Sequence, residues 1–237
     1  MITTILTAYN RGYALHNQID AIKNQSIKSD EIIVFYNKGN EPQISIDDPD
    51  IKVVKLNYNT KFHARFAFAL SAKNPYIAIF DDDTIPGNMW YESCLKCIEQ
   101  QDGIYGTTGI LLKTDYYNPH TKIGWNGIKP SEITEVDLVG HGWFFKKEHL
   151  KYMWAEEPVS WENGEDIQFS ALAQMYGNIK TFVPPHPIND TSIWGSIKGS
   201  LLGEDQYASY KLAPHASQRD NIVNSYIHKG WVPIWKR

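Results

Sequence analysis

The sequence predicts an α/β fold, a single domain in which a mostly parallel, twisted sheet is flanked by helices. Short apolar segments alternate along the N-terminal half with segments whose apolar residues recur at helical spacing. Some apolar segments are continuous, as in Ile32-Ile33-Val34-Phe35, because strands of a parallel sheet are buried on both faces. Ligands of such sheets bind at the carboxyl ends of the strands, so the residues that follow each strand are the candidate site residues.

The N-terminal half reads as alternating strands and helices. Helices are marked by apolar residues three or four positions apart, as in Leu15, Ile19 and Ile22, and strands by short apolar runs. In chain order we expect a strand over Ile2–Ala8, a helix around 15–22, strands over Glu31–Tyr36 and Ile51–Leu56, a helix over Phe62–Ser71, a strand over Tyr76–Phe80 and a helix around 91–98.

The second half is less regular. The polar segment Ile188–Gly203 is rich in glycine and serine and predicts a loop, and 204–237 has weak periodicity. Between residues 103 and 145 we expect two strands, Gly103–Leu112 and Val136–Phe145, separated by an irregular stretch at Tyr116–Pro130. They are followed by a helix over Glu165–Tyr176, closed by Gly177, and by a strand over Ile179–Val183.

Composition excludes several classes of protein. The net charge is −4 without a basic run, which argues against a general nucleic-acid binder. Cys94 and Cys97 are three positions apart in a predicted helix, with no second ligand pair for a zinc or redox site. No apolar run approaches the ~20 residues of a membrane span, and Met1 leads directly into a strand without a signal peptide. We therefore expect no transmembrane segment and a cytoplasmic location.

Asp81-Asp82-Asp83 is the most informative stretch, because three carboxylates follow a buried apolar strand directly. Neighbouring carboxylates repel one another, and partial burial increases the repulsion. A divalent cation relieves it, since Mg²⁺ and Mn²⁺ prefer oxygen ligands, and such an ion also binds phosphate. The alternative is a solvated acidic turn in which Asp83 caps the next helix.

Four motifs in order resemble those of GT-A glycosyltransferases. Thr7-Ala8-Tyr9-Asn10-Arg11 resembles their Thr-x-Tyr-Asn-Arg opening, and 34–39 resembles their second strand with its nucleotide-contacting end. Segment 79–83 resembles their Asp-x-Asp motif, and 164–167 their acidic acceptor-side motif. The order and spacing of the motifs match from residue 2 to about residue 187. The motifs resemble those of the family 2 enzymes and of the exostosin-like family 64 enzymes. The resemblance implies a Rossmann-like GT-A fold, but these families differ in stereochemical outcome, so inversion and retention both stay open.

The resemblance also implies residue roles on the donor side. Asn37 would hydrogen-bond the base edge, although family 2 often has a carboxylate there, and Arg65 would contact the donor phosphates by forked hydrogen bonds. Trp143 or Trp161 would stack on a sugar. The donor-binding set is Thr7, Ala8, Tyr9, Arg11, Asn37, Arg65, Asp81, Asp82 and Trp143.

The expected metal is Mn²⁺ or Mg²⁺. For its site, which includes Asp81, the resemblance implies Asp83 as a direct ligand, Asp81 in contact with the ribose or a metal-bound water, and His186 of the Pro-Pro-His-Pro run as a further ligand. Asp166 is the expected general base, with Glu165 as the alternative, because an acceptor hydroxyl must lose its proton as it attacks. Both acids also suit the first turn of a helix, where they favour the helix dipole.

The predicted function is transfer of a sugar from a nucleoside diphosphate sugar, with UDP implied by resemblance, to a carbohydrate or other hydroxyl acceptor in glycan or polysaccharide synthesis. We expect a nucleotide-binding half (1–112), an acceptor half (113–203) whose 188–203 loop closes over the donor, and a C-terminal tail (204–237). One alternative is a haloacid-dehalogenase-like phosphatase with Asp81 as nucleophile, because Phe80–Thr84 fits its pattern. Another is a non-catalytic carbohydrate-binding protein.

Overall fold

A computed structural model describes residues 1–39, 45–125, 127–196, 202–206, 208–211 and 214–237. The strands are β1 (Ile2–Ala8), β2 (Glu31–Tyr36), β3 (Ile51–Lys55), β4 (Tyr76–Phe80), β5 (Ile104–Leu112), β6 (His120–Gly124), β7 (Thr134–Val136), β8 (Leu138–Lys146) and β9 (Thr181–Val183). The helices are α1 (Gly12–Lys23), α2 (Ala64–Ala69), α3 (Trp90–Gln100), α4 (Leu150–Met153), α5 (Glu165–Gly177) and α6 (His215–His228).

The described strands form one sheet in the order β3-β2-β1-β4-β8-β5-β9-β7, and β6 pairs with β5 outside this path. The first four strands are parallel, and helices connect β1 to β2 and β3 to β4. The α/β fold with a twisted sheet and flanking helices is therefore confirmed. Strand β8 lies antiparallel between β4 and β5. Its N-terminal half consequently meets the carboxyl end of β4, where Phe80 pairs with Gly142.

The core lies on both faces of the sheet, as the continuous apolar strands predict. Alternate strand residues enter opposite clusters: Leu6 and Phe80 pack with helices α1 and α3, whereas Ile5 and Ile79 pack on the side of α2 and α5. A third cluster joins α5 to α6 through Ile167, Leu172, Ile222, Val223 and Tyr226. The sheet therefore packs between helices on both faces, and the loops at its edge extend from this packed core.

Several local expectations differ from the structure. The weakly periodic 204–237 contains the 14-residue helix α6, whose buried face includes Arg219 beside Ile222, Val223 and Tyr226. Because Arg219 occupies a position on the buried face, the apolar residues of this segment do not show a clear helical spacing in the sequence. The irregular Tyr116–Pro130 stretch contains β6, and the positive-φ cap of α5 is Asn178 (φ 52°) rather than Gly177.

Residues 197–201 of the predicted 188–203 loop lie outside the described residues. Within the described ranges, no helix combines the length and the apolar character that crossing a bilayer requires.

Candidate active site

The aspartate turn after β4 is held from two sides. Helix α1 supplies Gln18, whose side-chain amide donates to the backbone carbonyls of Asp81 (2.6 Å) and Thr84 (2.8 Å). Strand β8 supplies the carbonyl of His141, which accepts the N–H of Asp81 at 2.9 Å. These backbone contacts fix where the three carboxylates point, because the turn is tied to the two elements that flank β4.

A candidate metal cluster consists of Asp81, Asp83 and His141, whose ligand atoms all lie within 4.8 Å of one another. His141 Nδ1 lies 3.8 Å from Asp81 Oδ2 and 3.7 Å from Asp83 Oδ1. These distances are too long for hydrogen bonds but short enough for the atoms to share one cation. Burial opposes protonation of the imidazole, yet the two carboxylates outweigh it and raise the pKa of His141. The cluster therefore attracts positive charge.

His141 has a strained backbone, with φ at +63° between Gly140 and Gly142. Such a conformation costs about 1–3 kcal/mol for a non-glycine residue and is concentrated at functional sites. Two carboxylates suit Mn²⁺ or Mg²⁺, and the imidazole favours Mn²⁺ over Mg²⁺, because Mg²⁺ takes oxygen ligands. Sequence reasoning missed His141, although its position between two glycines was a usable signal.

His186, the predicted histidine ligand, is not brought to this cluster. Its imidazole is 1% exposed and lies near the rings of Trp194 (centroids 5.4 Å apart) and Trp90 (6.5 Å). Its Nδ1 is 2.8 Å from the carbonyl oxygen of Pro184, and burial lowers the pKa of His186 to about 4. The geometry thus gives His186 a place in the core and gives His141 the place beside the aspartates.

Arg65 on α2 connects the aspartate turn, residues 81–83, to the first turn of α5. Its buried guanidinium forms ion pairs with Asp81 and with Glu165 at the first turn of α5. Burial raises the pKa of Glu165, and this effect exceeds the opposing one of Arg65. The guanidinium also lies 4.7 Å from the ring centroid of Trp143. Trp143 is 1% exposed in the core, so its ring cannot stack on a sugar in this structure, contrary to the prediction.

Asp166 is held by the C-terminal helix. Both of its oxygens accept from Arg219 of α6, at 3.0 and 2.7 Å, and the guanidinium lies 4.2 Å from the ring centroid of Tyr117. Burial disfavours the charged carboxylate, but Arg219 outweighs burial and lowers the pKa of Asp166. Gly164 (φ +88°) is the N-cap residue directly before α5, and its left-handed conformation directs the chain into the helix.

Arg11, predicted to belong to the donor-binding set, is buried among carboxylates. It donates to both oxygens of Asp205 (2.8 and 2.7 Å) and to Asp82 Oδ1 (2.6 Å). Burial raises the pKa of Asp82 to about 7, although Arg11 opposes the rise. Asp205 belongs to the described segment 202–206, so a C-terminal residue is tied to the aspartate turn through Arg11.

Asn37 uses both ends of its amide to brace the chain at 59–61. Its oxygen accepts from the backbone of Thr60 (2.7 Å), and its nitrogen donates to Asn59 Oδ1 (2.8 Å). Asn59 in turn donates to the hydroxyl of Tyr9 (3.2 Å), which places Tyr9 next to this loop at the carboxyl end of β1. Of the other predicted donor contacts, Ala8 is buried and Thr7 is half-buried in β1.

Comparison with known proteins identifies the family. Residues 3–154, which are 152 of the 237, match the family model described as "Glycosyl transferase family 2". The chain belongs to glycosyltransferase family 2. This glycosyltransferase therefore has neither of the alternative functions, that of a phosphatase or of a non-catalytic carbohydrate-binding protein. No curated protein sequence matches the chain.

A solved structure shares the fold of this glycosyltransferase. It is described as "Crystal structure of S. aureus TarS 1-349" and superposes with a TM-score of 0.55 at 15% identity. The match covers 78% of this chain and 58% of that one, so the glycosyltransferase spans less than two thirds of the TarS chain. At this identity the likeness shows the fold alone.

The matched family segment contains the aspartate turn and His141 but ends before Glu165, Asp166 and Arg219. These three charged side chains of the glycosyltransferase therefore lie in the part of the chain beyond the match. Sequence reasoning found the two acids but missed Arg219, because an arginine in a weakly periodic segment carries no local signal of its partner.

Replacing Arg219 with methionine is expected to destabilise the glycosyltransferase by about 3–5 kcal/mol, because it leaves the buried Asp166 carboxylate without its cation. Urea unfolding followed by circular dichroism measures the loss. The double variant Arg219→Met/Asp166→Asn is the control, and it should recover much of the stability because no buried charge is left unpaired. A single variant as stable as the wild type would contradict a structural role for this pair.

Proposed function

We propose that this glycosyltransferase transfers a sugar from a nucleoside diphosphate sugar to a hydroxyl group of a carbohydrate acceptor, with a divalent cation held by Asp81, Asp83 and His141. The observation that carries the proposal is the convergence of these three side chains within 4.8 Å at the carboxyl end of β4. Family 2 membership over residues 3–154 supports the reaction class. When bound, Mn²⁺ or Mg²⁺ neutralises charge on the departing diphosphate.

The acceptor side is formed by two carboxylates at the start of α5. A Cβ built on Gly140 would lie 3.7 Å from Asp166 Oδ2, so Asp166 faces the strand position directly before His141. Arg65 connects Glu165 to Asp81 by two ion pairs. Asp166 and Glu165 therefore border the candidate metal cluster. An acceptor hydroxyl bound next to these acids would be placed to reach the anomeric carbon of a bound donor.

We assign the general base to Asp166, with Glu165 as the alternative. Arg219 keeps Asp166 ionised, which is the state that a base needs before it accepts a proton. A carboxylate has about four lone-pair sites. Asp166 Oδ1 accepts from Arg219 and from the Ile167 N–H, and Oδ2 accepts from Arg219 alone, so Oδ2 has room for an acceptor hydroxyl. In the proposed step the acceptor oxygen bonds to the anomeric carbon, the bond to the diphosphate oxygen breaks, and the hydroxyl proton passes to the carboxylate. A single displacement of this kind inverts the anomeric configuration.

The donor side includes Thr7, Ala8, Tyr9 and Arg11 at the end of β1, with Asn37 at the end of β2. Tyr9 offers a half-buried ring for stacking on a base. Asn37 holds the 59–61 loop, so we propose that it shapes the base pocket through that loop. UDP is the proposed nucleotide on the basis of the motif resemblance.

The proposal is tested by thermal unfolding with a panel of nucleotide sugars in Mn²⁺ or in EDTA. A donor at about 100 times its Kd stabilises the folded state by about 2.7 kcal/mol, which raises Tm by about 5 °C or more in a chain of this length. We expect the rise with Mn²⁺ and its loss in EDTA. An equal rise in EDTA would contradict the metal assignment, and no rise with any nucleotide sugar would contradict the donor class.

A further inference from the structure

A β-bulge places His141 beside the aspartate turn. Between two regular pairs of the β5–β8 ladder, the two residues His141 and Gly142 of β8 oppose the single residue Thr107 of β5. Bulges redirect side chains next to functional sites, and in a common class of bulge the residue with positive φ is glycine. This bulge has a histidine with φ at +63° instead. The chain therefore keeps an imidazole where glycine would fit more easily, which points to a function of that side chain.

The imidazole of His141 lacks the hydrogen bond that usually orients a metal-binding histidine. Such a histidine ordinarily donates its second ring N–H to a carboxylate, a carbonyl or water. In the part of the chain that the structure describes, the ring of His141 has no hydrogen-bond partner, and its Nδ1 lies 3.7 Å from Asp83 and 3.8 Å from Asp81. The orientation of the ring therefore depends on packing.

Trp125 supplies this packing. Its ring lies at 88° to the ring of His141 with centroids 5.2 Å apart, which is the edge-to-face arrangement that aromatic pairs prefer. The indole Nε1 is buried and has no hydrogen-bond partner among the described residues, so Trp125 acts on its neighbour through the ring and not through the N–H. The indole therefore restricts how the imidazole can rotate.

Trp125 is itself fixed directly after β6. Its N–H donates to the carbonyl of Thr107 (3.3 Å), and its carbonyl accepts from Lys129 Nζ (2.7 Å). The hydroxyl of Thr107 in turn donates to the carbonyl of Gly140, the residue before His141, at 3.1 Å. Trp125 and the bulge of β8 are consequently held against each other by a single residue of β5.

We propose that Trp125 is a positioning residue, which holds the imidazole of His141 toward the candidate metal cluster and thereby raises the affinity for Mn²⁺. The inference rests on the proposed function, because it concerns the metal site of that reaction. Trp125 touches neither the metal nor a substrate in this role and acts through His141. Mn²⁺ is the ion concerned, since an imidazole ligand favours Mn²⁺ over Mg²⁺.

Binding of Mn²⁺ tests this role without turnover, by the electron paramagnetic resonance signal of free Mn²⁺ during titration, with and without UDP. Trp125→Met removes the ring but refills the space with a flexible apolar side chain, and it should raise the Kd for Mn²⁺ by about tenfold. Trp125→Phe keeps a ring and should stay within about threefold of the wild type. An unchanged Kd in Trp125→Met would overturn the proposal.

Trp154→Met is the matched control. Trp154 is also half-buried, with an indole Nε1 that is unpaired within the described ranges, but it packs against the core on the side of α2 and α5. The control should lose stability and keep the wild-type Kd for Mn²⁺. An equal rise of the Kd in Trp154→Met would indicate general loosening of the fold and overturn the positioning role.

A double-mutant cycle shows whether Trp125 acts through His141. In a His141→Gln background, Trp125→Met should cause no further rise of the Kd for Mn²⁺, because no imidazole is left to position. A purely structural effect would persist in that background, so a further rise equal to that in the wild-type background would overturn the proposal.

One measurement does not require any variant at position 125 to fold. In wild-type protein freed of metal by EDTA, NMR should show nuclear Overhauser effects between the rings of Trp125 and His141, and their absence would overturn the inference. If the wild type binds no Mn²⁺ with or without UDP, the metal assignment of the proposed function fails and this inference fails with it. Mn²⁺ binding in the wild type that Trp125→Met leaves unchanged would overturn the inference alone.

Discussion

Asp83→Asn is expected to reduce metal-dependent donor turnover by about a thousandfold, because the amide lacks the charge that a divalent cation requires. Asp83 Oδ1 lies 3.7 Å from His141 Nδ1 within the three-residue cluster, so this change removes one of the three candidate ligands. The fold should persist, since the substitution removes a negative charge from a crowded acidic turn. Hydrolysis of a nucleotide sugar in Mn²⁺ measures the loss.

The matched control for Asp83→Asn is Asp20→Asn, which changes an exposed aspartate on α1 and should leave turnover unaltered. Full activity in Asp83→Asn would refute the metal assignment. A histidine pair adds a second comparison. His141→Gln should weaken activation by Mn²⁺, whereas His186→Gln should change stability alone, because His186 is packed near Trp90 and Trp194.

Asp166→Asn is expected to lower the rate of transfer by about 10²–10⁴-fold while the donor Kd stays within about threefold, because a general base acts only on the acceptor proton. Arg219 can still donate to the amide oxygen of the asparagine and to Asn163, and its ring contact with Tyr117 persists. Steady-state transfer and donor calorimetry measured on the same preparation separate chemistry from binding.

Glu165→Gln is the companion variant for that experiment. It retains an oxygen for Arg65 and removes one buried carboxylate, so we expect a smaller loss of transfer than in Asp166→Asn. The reverse order would assign the base to Glu165, whose pKa is raised by burial. A parallel loss of donor affinity and transfer in Asp166→Asn would mean that the Asp166–Arg219 pair supports the structure rather than the chemistry.

Local patterns were sufficient to predict the N-terminal half. A buried strand that ends in three aspartates is visible in consecutive residues, and β1, β2 and β4 have the bounds that their apolar runs predict. The roles of Asp83, Asp166 and the donor-side residues stay predictions. The division at 112 and 203 is also still a prediction, although α6 packs on α5 through Ile222 and Val223.

The wrong prediction for Trp143 and the missed His141 have the same physical origin. Trp143 lies in a glycine-containing segment suited to a ligand site, but in β8 its ring faces the core and packs against Phe66 (centroids 5.3 Å apart). His141 was missed because its approach to Asp81 depends on the antiparallel register of β8 against β4. Register between strands distant in sequence is set by packing, which no short window of residues contains.

By itself the sequence determined the order of strands and helices from β1 to β5, the family resemblance and the acidic motifs at 81–83 and 165–166, because periodicity and short motifs are local properties. Only the tertiary structure decided which charge each acid faces: Arg65 bridges Asp81 and Glu165, and Arg219 holds Asp166. These partners are fixed by how α2 and α6 pack around the sheet edge. The energy of a buried charge depends on such neighbours more than on the residue itself.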